Sequence, residues 1–136
     1  MDKVLVDTNI VLDLLTRRKD FYLAASKLFS LADNGKIRLA ISSLTFATTY
    51  YLLSRELDAA KAKEILRKFK VLVIVLPVDD KVIDLALNSE FKDFEDAIQY
   101  YTAIENKQEI IITRNLRDFK LSSLPVLTAE EYLKMR

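Results

Sequence analysis

The chain has 136 residues, 51% of them hydrophobic, which suits one domain with a substantial core, and we expect a single domain over residues 1–136. Its formal net charge of +1 provides no overall positive field that would predict a nucleic-acid partner. The lack of cysteine and histidine excludes disulfides, thiolate zinc sites, thiol nucleophiles and histidine acid–base catalysis. An enzyme of this composition works with carboxylates, amines, hydroxyls or a cation bound through oxygen. No secretory signal pattern and no membrane-spanning apolar run is present, so we expect a cytoplasmic protein without membrane contact.

The N-terminal segment predicts a buried strand that ends in a carboxylate. Val4, Leu5 and Val6 form an apolar run without alternation, typical of a strand covered on both faces in a parallel sheet. Open α/β folds bind ligands at the carboxyl ends of such strands, so Asp7 is expected at the mouth of a crevice. A charge at the end of a buried strand is costly unless it is paired or bound to metal, which favours a functional role for Asp7.

Strands and helices alternate along the rest of the chain. Further strands are predicted over residues 37–41, 71–76, 110–112 and 126–127. Helices are predicted over 10–15, 21–34 with Asp20 as N-cap, 44–53, 58–69 with Asp58 as N-cap, 80–87 with Asp79 or Asp80 as N-cap, 96–104, and from a capping box at 128–131. This order predicts an α/β fold, a three-layer α/β/α sandwich with an open parallel sheet of four to five strands flanked by helices.

Acidic residues cluster next to strand ends that should share one edge of the sheet. Asn115 and Asp118 follow the fourth strand and, three residues apart, share a face in a helical turn. Asp93 and Asp96 have the same spacing at the start of the helix before that strand, where the helix dipole favours carboxylates. Because converging carboxylates repel one another unless a cation neutralises them, these residues together with Asp7 predict a Mg²⁺ or Mn²⁺ site.

Most of these residues also have a purely structural interpretation. Asp93 can be a helix N-cap, Asp96 can serve the helix dipole alone, and Asp118 can be an exposed turn residue. Asn115 can be a turn former, and Asp13 is expected to face water rather than the cleft. Five arginines can contact phosphates, although terminal charges on helices usually face solvent: Arg17, Arg18, Arg55, Arg114 and Arg117.

Four segments of the chain resemble motifs of the PIN-domain family, metal-dependent ribonucleases that include the toxins of many bacterial and archaeal toxin–antitoxin pairs. The segments are 6–13 (VDTNIVLD), 93–97 (DFEDA), 112–119 (ITRNLRDF) and 124–131 (LPVLTAEE). Their order and spacing, spread over nearly the whole chain, make the match fairly specific. The resemblance implies a PIN-like sheet flanked by helices, a cleft that binds Mg²⁺ or Mn²⁺, and hydrolysis of phosphodiester bonds in single-stranded RNA.

The resemblance also implies roles for individual residues. Those that match the catalytic, metal-binding acids are Asp7, Asp96 and Asp118, with Asp93 beside them at the metal, and those expected to orient these acids are Asn9, Thr113 and Asn115. In this mechanism the bound ions activate a water for in-line attack on phosphorus and stabilise the charge on the departing 3′ oxygen.

One feature of the family is missing. Many members carry a glutamate in the helix after the second strand, where residues 45–50 (TFATTY) offer only hydroxyls, and Thr48 or Thr49 would coordinate weakly or through water. A second hypothesis is therefore a PIN-like domain that binds RNA or a protein partner without cutting. A third, a haloacid-dehalogenase-type phosphatase with Asp7 as nucleophile, expects an aspartate where this chain has Asn9. The single glycine excludes the glycine-rich phosphate loops of Rossmann and P-loop proteins.

The resemblance further implies a small antitoxin protein whose extended or helical tail fills the cleft, meeting the acids with an arginine. Two helical regions contain more aromatic residues than a small core needs: Phe21, Tyr22, Phe46, Tyr50 and Tyr51. They are compatible with a homodimer surface or an antitoxin groove, and core packing can equally absorb them.

Overall fold

The computed structural model describes residues 1–136 and contains one five-stranded sheet in which all pairs of neighbouring strands are parallel. The strands are β1 (Lys3–Val6), β2 (Arg38–Ser42), β3 (Ile74–Leu76), β4 (Ile110–Ile112) and β5 (Val126–Leu127), in the order β3-β2-β1-β4-β5. The helices are α1 (Thr8–Leu15), α2 (Tyr22–Asp33), α3 (Ser43–Glu56), α4 (Ala59–Lys70), α5 (Asp80–Leu87), α6 (Phe94–Glu105) and α7 (Ala129–Lys134), with a 3₁₀ helix at Leu116–Phe119. The predicted α/β fold with a parallel sheet is confirmed.

Successive residues of the central strands face two different cores, because side chains alternate across a strand. Val4 and Val6 pack with residues of α1, α2, α3, α4 and α7 on one face of the sheet. Leu5 and Ile111 face the other side, where α6 contributes Tyr100 to a second core, and α5 packs in turn against α6. Helices therefore cover both faces and leave the carboxyl edge of the strands open. No helix is both long and apolar enough to span a membrane.

The pairing of β1 with β4 brings polar residues together at the carboxyl edge. Val6 lies opposite Ile112, and the Asp7 backbone N–H donates to the Ile112 carbonyl at 2.9 Å. Asp7 and Thr113, the residues that directly follow these two strands, therefore lie side by side in the middle of the sheet.

Most predicted caps are present in the structure. The side chains of Asp58 and Asp79 accept hydrogen bonds from the first turns of α4 and α5, and Thr128 forms a capping box with Glu131. Gly35 has a φ of 70°, the left-handed conformation expected after the end of α2.

Two local predictions are wrong. Asp20 is not the N-cap of α2, because the backbone turns directly into the helix and Phe21 occupies the cap position without a side-chain bond. The third strand begins at Ile74 rather than at residue 71, because Leu72 and the residues around it continue the turn that ends α4.

Candidate metal centre

Four segments of the chain line an open cleft of about 300 Å³ at the carboxyl edge of β1. They are the start of α1, the start of α3, the first turns of α6 and the 3₁₀ segment after β4. The acidic residues at the cleft are Asp7, Asp93, Glu95, Asp96 and Asp118, and the other polar residues are Thr8, Asn9, Gln99 and Asn115. The structure thus brings together all the acids singled out from the sequence and adds Glu95 at the rim.

Asp7 is 6% exposed and forms no ion pair, so its charge is solvated only by neutral donors. As the N-cap of α1, its Oδ1 accepts from the Thr8 backbone N–H at 2.8 Å and from Gln99 Nε2 at 3.2 Å. Its Oδ2 accepts from the Thr113 hydroxyl at 2.8 Å. Burial raises the pKa of Asp7, and these hydrogen bonds offset only part of that effect. A positive charge from outside the chain would therefore stabilise this carboxylate.

Asp96 lies in the first turn of α6 and is half-buried. Burial is the main factor that raises the pKa of Asp96 to about 7, and the charges of Asp7, Asp93, Asp118 and Glu95 raise it further. At neutral pH this carboxyl group is accordingly close to its midpoint. Such mutual perturbation is expected where several carboxylates share one small volume.

Asp93 and Asp118 each combine a local structural contact with a place at the cleft. The Asp93 side chain is the N-cap of α6 and accepts from the Asp96 backbone N–H at 3.1 Å. Asp118 is exposed in the 3₁₀ helix, where its backbone N–H donates to the Asn115 carbonyl at 3.0 Å. The cap and site interpretations of Asp93 are therefore compatible, since a capping carboxylate keeps lone pairs free for another partner.

Thr113 connects the acids to the neighbouring polar residues. Its buried hydroxyl donates to Asp7 and accepts from the Asn115 backbone N–H at 3.0 Å and from Asn9 Nδ2 at 3.4 Å. Asn9 Oδ1 in turn accepts from the Arg114 backbone N–H at 3.3 Å. Through these contacts Asn9 and Thr113 restrict how the Asp7 carboxylate can rotate.

The family model described as PIN domain matches residues 3–117 of this chain. The chain belongs to the PIN-domain family. It is similar to ribonuclease VapC1 from Aquifex aeolicus (strain VF5), with 27% identity over 96% of this chain and 93% of that protein. Among solved structures, it resembles a toxin–antitoxin complex from Klebsiella pneumoniae, with a TM-score of 0.69 and 25% identity over 93% of this chain and 97% of that one. It also resembles VapBC2 from Rickettsia felis bound to a promoter DNA fragment, with a TM-score of 0.67 and 22% identity over 91% and 96% of the two chains.

One buried residue of this PIN domain at the cleft, Gln99, was missed by the sequence analysis. Gln99 is 2% exposed, and its Nε2 contacts Asp7 Oδ1 at 3.2 Å and Thr45 Oγ1 at 2.6 Å. Its Oε1 is buried without a hydrogen-bond partner. The sequence feature that could have identified Gln99 is its position three residues after Asp96, because this spacing puts both side chains on one face of α6.

Thr45, rather than Thr48 or Thr49, links the α3 helix of this PIN domain to the cleft. The Thr45 hydroxyl is fully buried and lies 2.9 Å from the Thr8 hydroxyl and 3.3 Å from that of Ser42. The Thr49 hydroxyl is buried without a partner, and Thr48 does not line the cleft. A coordinating role for Thr48 or Thr49, considered from the sequence, is therefore not supported.

The prediction that Asp13 faces water is wrong. Asp13 is 1% exposed, and Arg114 binds its two carboxylate oxygens through Nε at 2.9 Å and Nη2 at 3.2 Å. Arg18 approaches the same carboxylate at 3.7 Å, and the Arg114 guanidinium lies 4.0 Å from the centre of the Phe21 ring. Arg114 is thus committed to internal contacts, whereas Arg117 is exposed and forms no ion pair.

The donors at the cleft match a hard divalent cation in their chemistry, because all are carboxylate, hydroxyl or amide oxygens. As the side chains stand, no three acidic residues are arranged so that they could hold one ion together. Two observations therefore support binding of Mg²⁺ or Mn²⁺ at the cleft: its side-chain donors are oxygens, and the Asp7 carboxylate is buried without an ion pair.

A second concave surface of the PIN domain lies between α3 and α4, away from the acids. Phe46, Ala47, Tyr50 and Leu66 form the apolar part of this open groove of about 460 Å³. Tyr51 on α3 is 57% exposed. Part of the aromatic excess noted in the sequence is therefore not absorbed by the core.

Proposed function

We propose that this PIN domain is a Mg²⁺- or Mn²⁺-dependent endoribonuclease that hydrolyses phosphodiester bonds of single-stranded RNA, and that it is the toxin of a toxin–antitoxin pair. The observation that carries the proposal is the buried Asp7 carboxylate, which has only neutral donors within the chain and lies in a cleft with four other acids. The Aquifex aeolicus relative is named a ribonuclease, which supports the same chemistry.

The chain's own residues would act by holding the metal and fixing its ligands. Asp7, Asp96 and Asp118 would hold it, with Asp93 beside them, and Thr113, Asn9, Asn115 and Gln99 would orient the acids. When bound, the metal supplies Lewis-acid activation of water and charge stabilisation at the scissile phosphate. Gln99 and Thr113 each hold one oxygen of Asp7, so its remaining lone pairs face the cleft in a fixed direction.

The test is cleavage of a fluorescently labelled unstructured RNA by the purified protein. We expect cleavage with Mg²⁺ or Mn²⁺, none in EDTA, and restored activity when the metal is added back. A base-paired hairpin of the same composition is the control substrate and should be cut far more slowly. Equal activity in EDTA would contradict the metal-dependent mechanism.

A second candidate function is a PIN domain that binds RNA or a protein partner without cutting. Two observations favour it: the missing glutamate on α3, and the lack of three acids arranged around one point. Isothermal titration with Mn²⁺ separates the two candidates, because the nuclease requires ion binding at or below millimolar concentrations. RNA binding without Mn²⁺ binding and without cleavage would establish the second candidate.

The antitoxin part of the proposal draws on solved relatives, which include a toxin–antitoxin complex, and on the apolar groove between α3 and α4. We expect a small antitoxin to be encoded beside this protein, and co-expression of the two should yield a stable complex that has lost RNA cleavage. Tyr50→Glu, which places a charge in the groove, should prevent that complex. Size-exclusion chromatography of the protein alone tests the homodimer, in which a second copy would cover the groove instead.

A further inference from the structure

A cavity of about 330 Å³ adjoins the acidic cleft and has a different character. The two share Asp93 and Asp118, which line both. Three cations line the second cavity, and we call this group the basic triad: Lys92, Arg117 and Lys120. Its apolar wall consists of Phe91 and Leu121, and Glu90 is the remaining lining residue. Its volume falls in the range of about 300–1,000 Å³ that small-molecule sites occupy.

The charges of the basic triad are not used within the protein. All three side chains are exposed, and none forms an ion pair with any acid, although Glu90, Asp93 and Asp118 line the same cavity. They differ in this respect from Arg114, which is held by Asp13. The lining carries as many acids as cations, but the three cations form no ion pairs and remain available to contact a multivalent anion.

The walls that carry the basic triad are anchored to the core. Phe91 packs against Tyr100 with ring centres 5.2 Å apart and against Phe119 at 6.4 Å, and Phe119 is 2% exposed. Lys92 directly precedes the Asp93 N-cap of α6, and Arg117 directly precedes Asp118 in the 3₁₀ helix. Two of the three cations, Lys92 and Arg117, are therefore adjacent in sequence to an acid of the candidate metal centre, and Lys120 follows Asp118 by two positions.

We propose that the basic triad binds backbone phosphates of single-stranded RNA next to the scissile bond, with one nucleotide seated against Phe91 and Leu121. This proposal rests on the nuclease function proposed above. The reason is that the two concave surfaces are continuous. A strand whose scissile phosphate lies at the acids must leave the cleft, and the adjoining cavity, which shares Asp93 and Asp118, offers it three unpaired cations and an apolar wall. Such a combination of cations and apolar surface is typical of single-strand binding.

The experiment measures RNA affinity without turnover, as a function of salt. Asp7→Asn is the inactive host, in Mg²⁺ buffer, and a short labelled oligouridylate is the probe. The test variant carries Lys92→Gln, Arg117→Gln and Lys120→Gln. The matched control carries Lys3→Gln, Lys36→Gln and Arg38→Gln, an identical set of residue types, all exposed and unpaired, at the amino ends of β1 and β2 on the opposite edge of the sheet.

The test variant should bind oligouridylate at least about 10-fold more weakly at low salt than the host. The slope of log affinity against log salt should decrease by about 2, since each phosphate contact on a single strand contributes roughly 0.7. The control variant should match the host in affinity and slope. Thermal unfolding of both variants checks that the substitutions leave the fold intact.

Two outcomes overturn the proposal. One is equal affinity for oligouridylate in the test and control variants. The other is tighter binding of an oligoglutamate peptide than of oligouridylate to the host, lost in the test variant, which would indicate an acidic protein partner instead. The nuclease proposal fails separately. If the unsubstituted protein does not cleave RNA but the test variant still loses affinity, the basic triad binds RNA and only the cutting is wrong. If cleavage occurs and the variants bind equally, the nuclease stands without this binding site.

Discussion

Two aspartates six positions apart, Asp7 and Asp13, are both nearly inaccessible to solvent, at 6% and 1% exposure, yet they are stabilised in opposite ways. Asp13 receives a two-point ion pair from Arg114, supplemented by Arg18. Asp7 receives three neutral hydrogen bonds and no cation. The charge of Asp13 is balanced within the protein, whereas that of Asp7 remains available to an external ion. Burial is therefore common to both carboxylates, and the presence or absence of a cationic partner is what separates them.

The largest effect is expected from Asp7→Asn. Removing this carboxylate should reduce RNA cleavage about 1,000-fold or more, because a metal centre contributes several kcal/mol to the transition state and each 1.36 kcal/mol is a factor of ten. The free energy of unfolding should stay equal or rise, since a costly buried charge is gone. Cleavage assays and urea unfolding measure the two quantities. Full activity of this variant would remove the nuclease proposal.

The complementary change is Arg114→Met, which leaves Asp13 charged and buried without its main partner. Breaking a buried pair in this way costs about 3–5 kcal/mol, and the 28% exposure of the Arg114 side chain favours the lower end, about 3 kcal/mol. Arg18→Met is the control and should cost under about 1 kcal/mol, because this more exposed arginine lies 3.7 Å away. Urea unfolding measures the free energy of unfolding of both variants. Similar losses in the two variants would mean that both arginines pair with Asp13 to a similar extent.

A smaller effect is expected when a neutral donor to Asp7 is removed. Gln99→Leu should weaken Mn²⁺ binding about 10- to 100-fold, the usual cost of losing a residue that orients a metal ligand. Thr102→Val, on the same helix, is the control, because the Thr102 hydroxyl is buried without a partner. Isothermal titration measures both affinities. Unchanged Mn²⁺ affinity in Gln99→Leu would show that Thr8 and Thr113 suffice to hold Asp7.

The smallest expected effect is a dependence of the protein's stability on pH that arises from Asp96. The pKa of Asp96 is about 7 in the folded protein against an ordinary 3.8, so between these values the folded state binds more protons than the unfolded one. The free energy of unfolding should therefore fall as pH rises from about 4 to about 7. In EDTA, the melting temperature should be lower at pH 8 than at pH 5, and Mn²⁺ should reduce the difference.

Asp96→Asn should flatten this pH dependence, while Asp84→Asn, at an exposed position of α5, should leave it unchanged. Melting curves across the pH range make the comparison. If the melting temperature of Asp96→Asn still falls as pH rises, the pH dependence arises from other titratable groups.

The elements and caps were largely predictable because they depend on neighbouring residues. The apolar run before Asp7 and the capping side chains of Asp58 and Asp79 act within a few positions. Asp20 shows the limit of such signals, because a good capping residue is not used when the backbone turn before it already leads into the helix. The order of strands and helices, and hence the shared edge of the acids, followed from the same local patterns.

The contacts that distinguish Asp7 from Asp13 were not predictable, because they join distant parts of the chain. Gln99 meets Asp7 across 92 positions, and Arg114 meets Asp13 across 101. The first contact depends on how α6 packs on the sheet, and the second on how α1 lies beside the segment that follows β4. A hydrophobic pattern does not specify either arrangement to within a hydrogen-bond length. The sequence therefore indicated which acids gather but not which of them lacks a cation.

The position of β1 at the centre of the sheet has a consequence for how the protein tolerates change. The strands next to β1 are β2 and β4, and the edge strands beyond them are the three-residue β3 and the two-residue β5. These short edge strands can open locally while the central strands keep their register. The Asp7 carboxylate, at the end of the central strand, lies two strands away from either edge of the sheet. A change in the length of β3, which makes no contact with Asp7 or Thr113, should therefore leave the position of this carboxylate unchanged.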